Sequence, residues 1–343
     1  MMDVSSCRAA LRGHEAEEQI LKDNPGRWVV LPIAYPQVWD MFKKHEACFW
    51  TAEEIDFAQD AGGLATLPDK AITSVKKLTL LNSASNGSVY GNLSVLSCRL
   101  LCDVTIPEAR AFYGMQVAME NIHREAQTYL AETLMPDPTQ READIKELLC
   151  MPAVQGLGAY VKEHCSTDTP FAEKAAGCAL MKRLFSAGTD VVAYVLKGRK
   201  LLPGLVQVQS LIGRDERAHS DFAALLYRML THKLPNDLVV CMAKDAVEKS
   251  VAAMDALVDY QSMGINRDEL VGYHKWCADS VLESLSHGKA FMTPNPYTAM
   301  TQEMTSKCEG QEVQPSTGSR HIRVCLSGSD THPKDYFSLN EDF

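Results

Sequence analysis

The clearest periodic stretch of the chain spans residues 116–134, where apolar residues recur at helical spacing without glycine or proline. Such a pattern predicts an amphipathic helix with one face in a core. Glu120 and His123 are three positions apart in this stretch, so they lie on nearly the same helix face. A carboxylate and an imidazole placed in this way can bind one metal ion together.

The same Glu-x-x-His pattern returns at Glu216 and His219, inside a second helical stretch. One such pattern is weak evidence, because a chain of this length contains about one by chance. Two copies, each in a long amphipathic helix, are typical of ferritin-like four-helix carboxylate proteins. The doubled pattern therefore predicts a ferritin-like helical bundle with a candidate metal site between two of its helices.

Helical periodicity continues through most of the remaining sequence, and almost no stretch alternates with the two-residue period of a strand. The predicted fold class is therefore all-α. Thr51 and Glu54 form a predicted capping box, and a tryptophan just before it, Trp50, is typically a packing residue. The predicted helices span residues 37–49, 72–81, 93–104, 107–134, 141–149, 154–163, 171–196, 205–232, 238–262 and 267–285.

Composition divides the chain into three parts. Residues 1–26 are polar and mixed, which predicts a flexible N-terminal arm, and residues 27–300 carry the helical periodicity and form the predicted domain. From residue 301 onward serine, threonine, glycine and glutamine are frequent, which predicts a disordered tail over residues 301–343. The tail ends in the apolar and acidic sequence DYFSLNEDF, and a short peptide of this kind can dock into a groove.

The overall composition is that of an ordinary globular chain, with 343 residues of which 46% are hydrophobic and 23% charged. The net charge of −10 and the lack of a Lys/Arg block argue against a nucleic-acid partner. No apolar run approaches the roughly 20 residues that span a bilayer, and the first residues lack the apolar region of a secretory signal. Eleven cysteines without a C-x-x-C pair indicate reduced thiols, so we expect a cytoplasmic protein without a membrane partner.

Four stretches carry a resemblance to a known family. They are RWVVLPIAYPQVWDMFKKHEACFWTAEEIDFAQD, EARAFYGMQVAMENIHREAQTYLAETL, LLPGLVQVQSLIGRDERAHSDFA and the terminal FSLNEDF. Through them, residues 27–300 and the end of the chain resemble the small, radical-generating subunit of class I ribonucleotide reductase in its eukaryotic form. The resemblance implies a helical bundle that holds two irons and a tyrosyl radical. It also implies a role in deoxyribonucleotide synthesis for DNA replication, since the family passes its radical to a large subunit that reduces ribonucleotides.

The resemblance implies six iron ligands and one radical tyrosine, and this sequence keeps only some of them. The positions that match iron ligands are Glu120, His123, Glu216 and His219. The aspartate ligand of the family falls on Asn86, its remaining glutamate ligand on Lys182 and its radical tyrosine on Gln127. Two phenylalanines of the neighbouring aromatic pocket are also replaced, by Ser186 and Asp190.

Each replacement removes a property that the chemistry of the family needs. Asn86 offers a neutral oxygen, which is a poor ligand for a hard ferric ion. The ammonium of Lys182 cannot ligate a metal, and the amide of Gln127 has no one-electron oxidation comparable to that of a phenol. We therefore expect no di-iron centre, no stored radical and no other cofactor. Because buried carboxylates need a positive partner, we expect Lys182 to form a salt bridge with Glu120 or Glu216.

Other features of the family are retained. Trp50, His123 and Asp215 match the near part of its radical-transfer route. The terminal SLNEDF matches its docking peptide for the large subunit, with Phe343 as the anchor. The partner-binding residues that this match implies are Phe337, Leu339, Asp342 and Phe343.

The resemblance leaves three hypotheses. The first is a catalytically deficient small subunit that supports an active small-subunit paralogue in a heterodimer, as some family members do, and that binds the large subunit. The second is an active small subunit with a different metal, or with its radical on another residue, for which Tyr113 and Tyr129 are the nearby phenols. The third is a binding protein that uses the same fold outside the reductase. Metal content and a radical spectrum discriminate between the first two, and the retained tail argues against the third.

Overall fold

A computed structural model describes residues 4–23, 27, 30–84 and 93–310 of the chain. The chain divides into two units, residues 1–309 and residues 310–343. No described residue lies in a β-strand, which confirms the all-α prediction. The helices of the described residues are α1 (Val4–His14), α2 (Pro36–Ala47), α3 (Asp60–Leu64), α4 (Asp69–Ala84), α5 (Leu93–Asp103), α6 (Pro107–Leu134), α7 (Pro138–Cys150), α8 (Pro152–His164), α9 (Phe171–Leu184), α10 (Ala187–Gly198), α11 (Pro203–Met229), α12 (Asn236–Leu257), α13 (Tyr260–Met263), α14 (Arg267–Ser284) and α15 (Thr298–Gly310), with 3₁₀ turns at Glu15–Glu17 and Ala52–Glu54.

Four helices form the centre of the domain. Helix α6 packs against α4 and α11, and α11 packs against α9. Every residue of α9 is buried, because α5, α8, α12 and α14 also contact this helix. The packing places Glu120 of α6, Lys182 of α9 and Glu216 of α11 inside the bundle.

Prolines and short polar caps fix several helix starts. Helix α6 begins at Pro107, as predicted, in a first turn where the missing N–H would have no intrahelical partner. Helix α7 begins after Asp137, whose carboxylate accepts a hydrogen bond from the N–H of Thr139 at 2.9 Å. The predicted capping box is present at the second 3₁₀ turn, where the N–H of Thr51 donates to Glu54 Oε1 at 3.1 Å.

The single helix predicted over residues 171–196 is two helices in the structure. Helix α9 ends at Leu184 and α10 begins at Ala187. The Ser186 hydroxyl donates to the carbonyl oxygen of Lys182 at 3.2 Å, and the Thr189 hydroxyl donates to that of Ser186 at 2.8 Å. Hydroxyl bonds of this kind compete with the backbone hydrogen bonds of a helix and bend it. They leave the order of apolar and polar residues unchanged, so the apolar period continues across the break.

The N-terminal segment differs from the flexible arm that composition predicts for residues 1–26. Residues 4–14 form α1, in which Cys7 and Leu11 are buried and lie one helical turn apart. Arg8 Nε donates to Glu173 Oε2 at 2.7 Å, and this α9 carboxylate has no exposed surface. Two apolar contacts and one ion pair therefore dock a helix whose composition is mainly polar.

Helix α15 extends into the tail that composition predicts to be disordered from residue 301. Met300 is buried and Met304 packs against the core, so apolar contacts hold this helix. The rest of the predicted tail, residues 311–343, lies outside the described residues. Among the residues that the structure describes, no helix is both long enough and apolar enough to cross a bilayer.

Candidate functional site

The two Glu-x-x-His pairs meet inside the bundle. Glu120 and His123 of α6 are 1% and 4% exposed, and Glu216 and His219 of α11 are 9% and 1% exposed. Carboxylate and imidazole atoms of Glu120, His123 and Glu216 lie within 4.8 Å of one another. His219 Nδ1 is 3.5 Å from Glu120 Oε1. The structure therefore brings together the four residues that the sequence singles out as ligand positions.

Lys182 enters the same site from α9. Its Nζ donates a hydrogen bond to Glu216 Oε1 at 3.0 Å and a second one to Glu120 Oε1. The Lys182 side chain is 1% exposed, so the ammonium has left bulk water. The salt bridge expected from the sequence is present, and it involves both glutamates.

The ammonium controls the charge of the two carboxylates. Burial, the largest single effect, raises the pKa of Glu120, but Lys182 and the nearby His219 together outweigh it and lower this pKa to about 2. Lys182 also holds the pKa of Glu216 well below its usual value, against the effect of burial. Burial lowers the pKa of Lys182, but Glu120 and Glu216 outweigh burial and raise it above its usual value. All three groups are therefore charged at neutral pH.

Asp215 joins two aromatic side chains beside the carboxylate pair. Trp50 Nε1 donates to Asp215 Oδ2 at 2.8 Å, and His123 Nε2 is 3.0 Å from the same oxygen. The other carboxylate oxygen accepts from Arg214 at 2.9 Å. Burial lowers the pKa of His123, but hydrogen bonds to Asp215 and Glu216 raise it to about 9. The three residues matched to a radical-transfer route thus form one hydrogen-bonded chain with a protonated imidazole.

The charges of this centre balance without an additional cation. Each negative group is in contact with a positive one, and buried charges persist only when they are paired in this way. The negative groups are the carboxylates of Glu120, Asp215 and Glu216, and the positive groups are Lys182, His123 and Arg214.

His45 is a neighbour of the centre that was not predicted from the sequence. It lies on α2, is 4% exposed, and its Nε2 is 3.2 Å from the Nε2 of His219. Burial lowers the pKa of His45 to about 3, with a further contribution from His219, so the His45 imidazole is neutral. His45 follows the buried Val38 by seven residues, and this helical spacing is the signal that would have placed it on the buried face of α2.

Gln127, at the position matched to the radical tyrosine, borders a cavity of about 20 Å³. Its Oε1 has no hydrogen-bond partner among the described residues. Thr189 and Gln209 line the same cavity, and Gln209 Nε2 donates to Asp190 Oδ1 at 3.0 Å. A volume of this size accommodates about one water molecule. The cavity is lined mainly by apolar side chains, among them Leu78, Leu130 and Val208, and Thr189 and Gln209 add hydrogen-bonding groups to it.

Some of the predicted site residues lie outside the part of the chain that the structure describes. They are the ligand position Asn86 and the docking residues Phe337, Leu339, Asp342 and Phe343. The two alternative phenols are described. Tyr113 is 1% exposed, whereas Tyr129 is 39% exposed and donates from its hydroxyl to Glu125 at 2.8 Å.

Comparisons with known proteins identify the family. The sequence model of the family described as ribonucleotide reductase, small chain, matches residues 27–296. This chain belongs to that family. A ribonucleoside-diphosphate reductase small subunit of Arabidopsis thaliana is 35% identical over 332 residues, which cover 95% of this chain and 98% of the relative. The small subunit of Trypanosoma brucei brucei is 33% identical over 343 residues, which cover 100% of both proteins. The resemblance to the eukaryotic small subunit is confirmed.

Solved structures give the same result for the fold. The ribonucleotide reductase Rnr4 homodimer of Saccharomyces cerevisiae matches with a TM-score of 0.80 and 27% identity, covering 89% of this chain and 97% of that one. The ribonucleotide reductase R2 subunit of Clostridium botulinum matches with a TM-score of 0.72 at 15% identity, which supports the fold alone, over 85% of this chain and 94% of that one. The ferritin-like prediction is confirmed. As a small subunit of ribonucleotide reductase, the chain belongs to a family that works with a large subunit.

Proposed function

We propose that this small subunit of ribonucleoside-diphosphate reductase is catalytically deficient and supports an active small subunit in a heterodimer. The observation that carries the proposal is the Lys182 ammonium, which is hydrogen-bonded to both Glu120 and Glu216. It occupies the place between the two Glu-x-x-His pairs where related carboxylate proteins bind metal. The chain would then be a component of the enzyme that generates no radical by itself.

The side chains of the centre do not fit a pair of iron ions. A protonated lysine has no lone pair to donate, and the carboxylates raise the pKa of Lys182 further. His123 has a pKa of about 9 and would have to lose its proton before it could ligate a metal. An entering cation would thus have to deprotonate an imidazole and separate an ammonium from two carboxylates. We expect no cofactor at this site.

The surroundings of residue 127 also argue against radical storage. The amide of Gln127 does not undergo the one-electron oxidation of a phenol. The adjacent cavity is lined mainly by apolar side chains, but Thr189 and Gln209 also line it and Asp190 accepts a hydrogen bond from Gln209, so polar groups adjoin this position. Under this proposal, the chain therefore lacks both the metal centre that would act as the oxidant and the tyrosine that it would oxidise.

A supporting role requires contacts with partners, and the sequence supplies a candidate. We propose that the terminal peptide docks into a groove of the large subunit, because it combines apolar anchors with acidic residues. Its proposed anchors are Phe337, Leu339, Asp342 and Phe343. The active small subunit of the heterodimer would generate the radical, and we expect the complex in the cytoplasm.

Iron content and a radical spectrum test the deficiency. The purified chain is incubated aerobically with Fe²⁺, desalted, and analysed for iron per chain and for a tyrosyl signal by electron paramagnetic resonance. An active small subunit treated in parallel is the positive control. We expect neither an iron pair nor a tyrosyl signal. Two irons per chain, with or without a radical, would refute the proposal and support the active alternative.

Restoring the ligand types tests the cause. We expect the double variant Lys182→Glu, Asn86→Asp to bind iron, and Lys182→Glu alone to bind none. Lys197→Glu combined with Asn86→Asp is the matched control, because Lys197 lies on α10 and pairs with Glu303 at the surface. Equal iron uptake by the control and the Lys182 double variant would show that the ammonium is not what excludes the metal.

Co-purification tests the partners. The tagged full-length protein is expressed together with an active small subunit and a large subunit from the same organism, and a variant that ends at residue 336 is the comparison. We expect the full-length protein to retain both partners. In a complex whose active small subunit also lacks its own tail, we expect the shortened variant to keep that small subunit and to lose the large subunit. Recovery of neither partner by the full-length protein would favour a binding protein outside the reductase.

A further inference from the structure

Two histidines and a glutamate converge at the surface of the domain, outside the buried centre. His14 is the last residue of α1, Glu17 ends the following 3₁₀ turn, and His232 lies in the connection between α11 and α12. Their side chains are 45%, 65% and 35% exposed, respectively. A ligand could therefore reach all three from solvent.

The ligand atoms of this cluster are close enough to share one metal ion, and the contact between His14 and Glu17 is also a hydrogen bond in this structure. His14 Nδ1 lies 3.3 Å and His232 Nε2 lies 3.5 Å from the same oxygen, Glu17 Oε2. Charge-assisted hydrogen bonds are shorter, at about 2.7–2.9 Å. Two ligands on one tetrahedral Zn²⁺ are about 3.3 Å apart, given metal–ligand bonds of roughly 2.0–2.1 Å. The three ligand atoms all lie within 4.8 Å of one another.

The backbone around the cluster is fixed by a buried carboxylate. Glu18 is 3% exposed and accepts hydrogen bonds from the N–H groups of Thr231 at 2.8 Å and His232 at 2.7 Å. This contact holds the connection that carries His232 against the turn that carries Glu17. The rings of His14 and His232 stack with centroids 3.9 Å apart and an angle of 12° between their planes. The Glu18 contact therefore fixes the backbone of both segments, whereas the stacked imidazoles have to rotate before both can direct a ring nitrogen at one ion.

We propose that His14, Glu17 and His232 form a binding site for a divalent metal ion of the Zn²⁺ class. Two neutral imidazoles and one carboxylate are a ligand set that suits Zn²⁺, and water would complete the coordination. Two of the ligands belong to the N-terminal segment and the third to the α11–α12 connection, so the ion links the two. This site shares no residue with the buried centre, and its existence does not depend on the proposed deficiency.

A second cluster of possible ligands, in which the histidine is buried, offers a comparison. Glu163, His164 and Asp245 also bring ligand atoms within 4.8 Å of one another. There, however, His164 Nδ1 is 2.9 Å from Glu173, and the Lys249 ammonium is hydrogen-bonded to Asp245. A metal ion would have to displace that lysine, so we expect this second cluster to bind Zn²⁺ more weakly.

Calorimetric titration with ZnCl₂ tests the assignment on the full-length protein after removal of metals with a chelator. We expect the variants His14→Gln and His232→Gln each to lose one Zn²⁺ per chain, or to bind it at least about tenfold more weakly. The double variant Glu163→Gln, Asp245→Asn is the control and is expected to retain that ion. Wild-type protein that binds no Zn²⁺, or histidine variants that bind it as wild type does, would overturn the proposal.

Hydrogen exchange tests whether the ion links the two segments. Zn²⁺ is expected to slow amide exchange in residues 4–17 of the wild-type protein and to have no effect there in His232→Gln. Because residue 232 lies outside α1, only an ion bound by both segments gives this dependence. Zn²⁺ binding that leaves exchange in residues 4–17 unchanged would overturn the link.

Discussion

At the scale of single residues, a buried ion pair is most sensitive to the loss of one partner, because the remaining charge is left uncompensated in a medium of low dielectric constant. Lys182 faces this situation twice, since its ammonium serves both Glu120 and Glu216. A neutral side chain at residue 182 would leave two carboxylates close together with one protonated imidazole, that of His123, beside them.

The substitution Lys182→Met keeps most of the side-chain length and removes the charge. We expect it to lower the free energy of unfolding by about 3–5 kcal/mol at neutral pH. Lys197→Met is the control, because Lys197 and Glu303 form a surface pair with side chains 44% and 38% exposed, and its loss should change stability by less than about 1 kcal/mol. Urea denaturation measures both values, and equal effects would contradict the role given to Lys182.

The contacts of Lys182 could be predicted from the sequence, whereas those of His45 could not. Helical spacing fixes which face of α6 carries Glu120, and a lysine matched to a ligand position needs a negative partner. The proximity of His45 to His219 depends on how closely α2 approaches α11, which no local pattern encodes. The cavity beside Gln127 is missing from the prediction for the same reason, since it arises from the packing of several helices.

At the scale of elements, the first turn of α11 lies so close to residues 56–60 that it requires glycine at residue 204. Asp60 accepts hydrogen bonds from the N–H groups of Gly204 at 2.9 Å and Leu205 at 2.6 Å, which satisfies the start of the helix. A Cβ atom on residue 204 would lie 2.7 Å from the backbone oxygen of Asp56 and 2.6 Å from Phe57 Cδ1. The backbone oxygen cannot rotate away, so only glycine fits without movement.

The substitution Gly204→Ala is therefore expected to destabilise the protein by about 1–3 kcal/mol, although alanine is the better helix former. Gly114→Ala in α6 is the matched control, because a Cβ atom there meets nothing within 4 Å. The control should gain up to about 1 kcal/mol. Thermal unfolding of the two variants gives the signs, and stabilisation by both substitutions would refute the close approach at α11.

The contact between α1 and α9 predicts a pH dependence. Burial raises the pKa of Glu173, but hydrogen bonds from Arg8 and His164 outweigh burial and bring it below the usual 4.5. A carboxyl group with a lowered folded-state pKa stabilises the protein above its unfolded-state pKa, and this contribution is lost as the pH falls. The stability difference between wild type and Arg8→Gln should therefore be largest above about pH 4.5 and shrink on acidification. Urea denaturation at several pH values measures it, and a difference that grows toward acid would contradict the pairing.

Helix bounds were predictable where a proline or cap marks them and less so where side chains from another element intervene. The bounds of α6 match the prediction because Pro107 sets its start and the apolar period continues to Leu134. The break between α9 and α10 was not predicted because hydroxyl groups of Ser186 and Thr189 bend the backbone without changing its apolar pattern. The docking of α1 was not predicted because it rests on a few side chains, chiefly two buried ones and Arg8.

At the scale of the whole molecule, a ligand that binds only the folded state raises the melting temperature. If side chains of the protein balance the charges of the buried centre, Fe²⁺ finds no binding site there and should leave the melting temperature unchanged. The test uses a variant that carries His14→Gln and His232→Gln, so that the proposed surface site does not contribute. We expect equal melting temperatures with Fe²⁺ and with a chelator, measured by scanning calorimetry, and an increase with Fe²⁺ when Lys182→Glu and Asn86→Asp are added. An increase without those two substitutions would count against the proposed deficiency.

Fold class was accessible from the sequence because it rests on repeated local signals, whereas the family was accessible through four stretches that resemble the small subunit of ribonucleotide reductase. Helical periodicity and the two Glu-x-x-His pairs each recur, so single errors in bounds do not change the architecture. The balance of charges in the centre was accessible only in part, since the pairing of Arg214 with Asp215 and the protonation of His123 require the assembled bundle. The docking peptide at residues 337–343 remains a prediction.

The positive charge in the centre of the bundle belongs to a side chain of the polypeptide, Lys182, and so is present as soon as the chain has been synthesised. Maturation of this protein would then call for no iron delivery, no dioxygen and no reductant. The amount of folded protein should therefore depend on its synthesis and not on the supply of iron. In iron-limited cells, we expect the same amount of this folded subunit as in iron-replete cells.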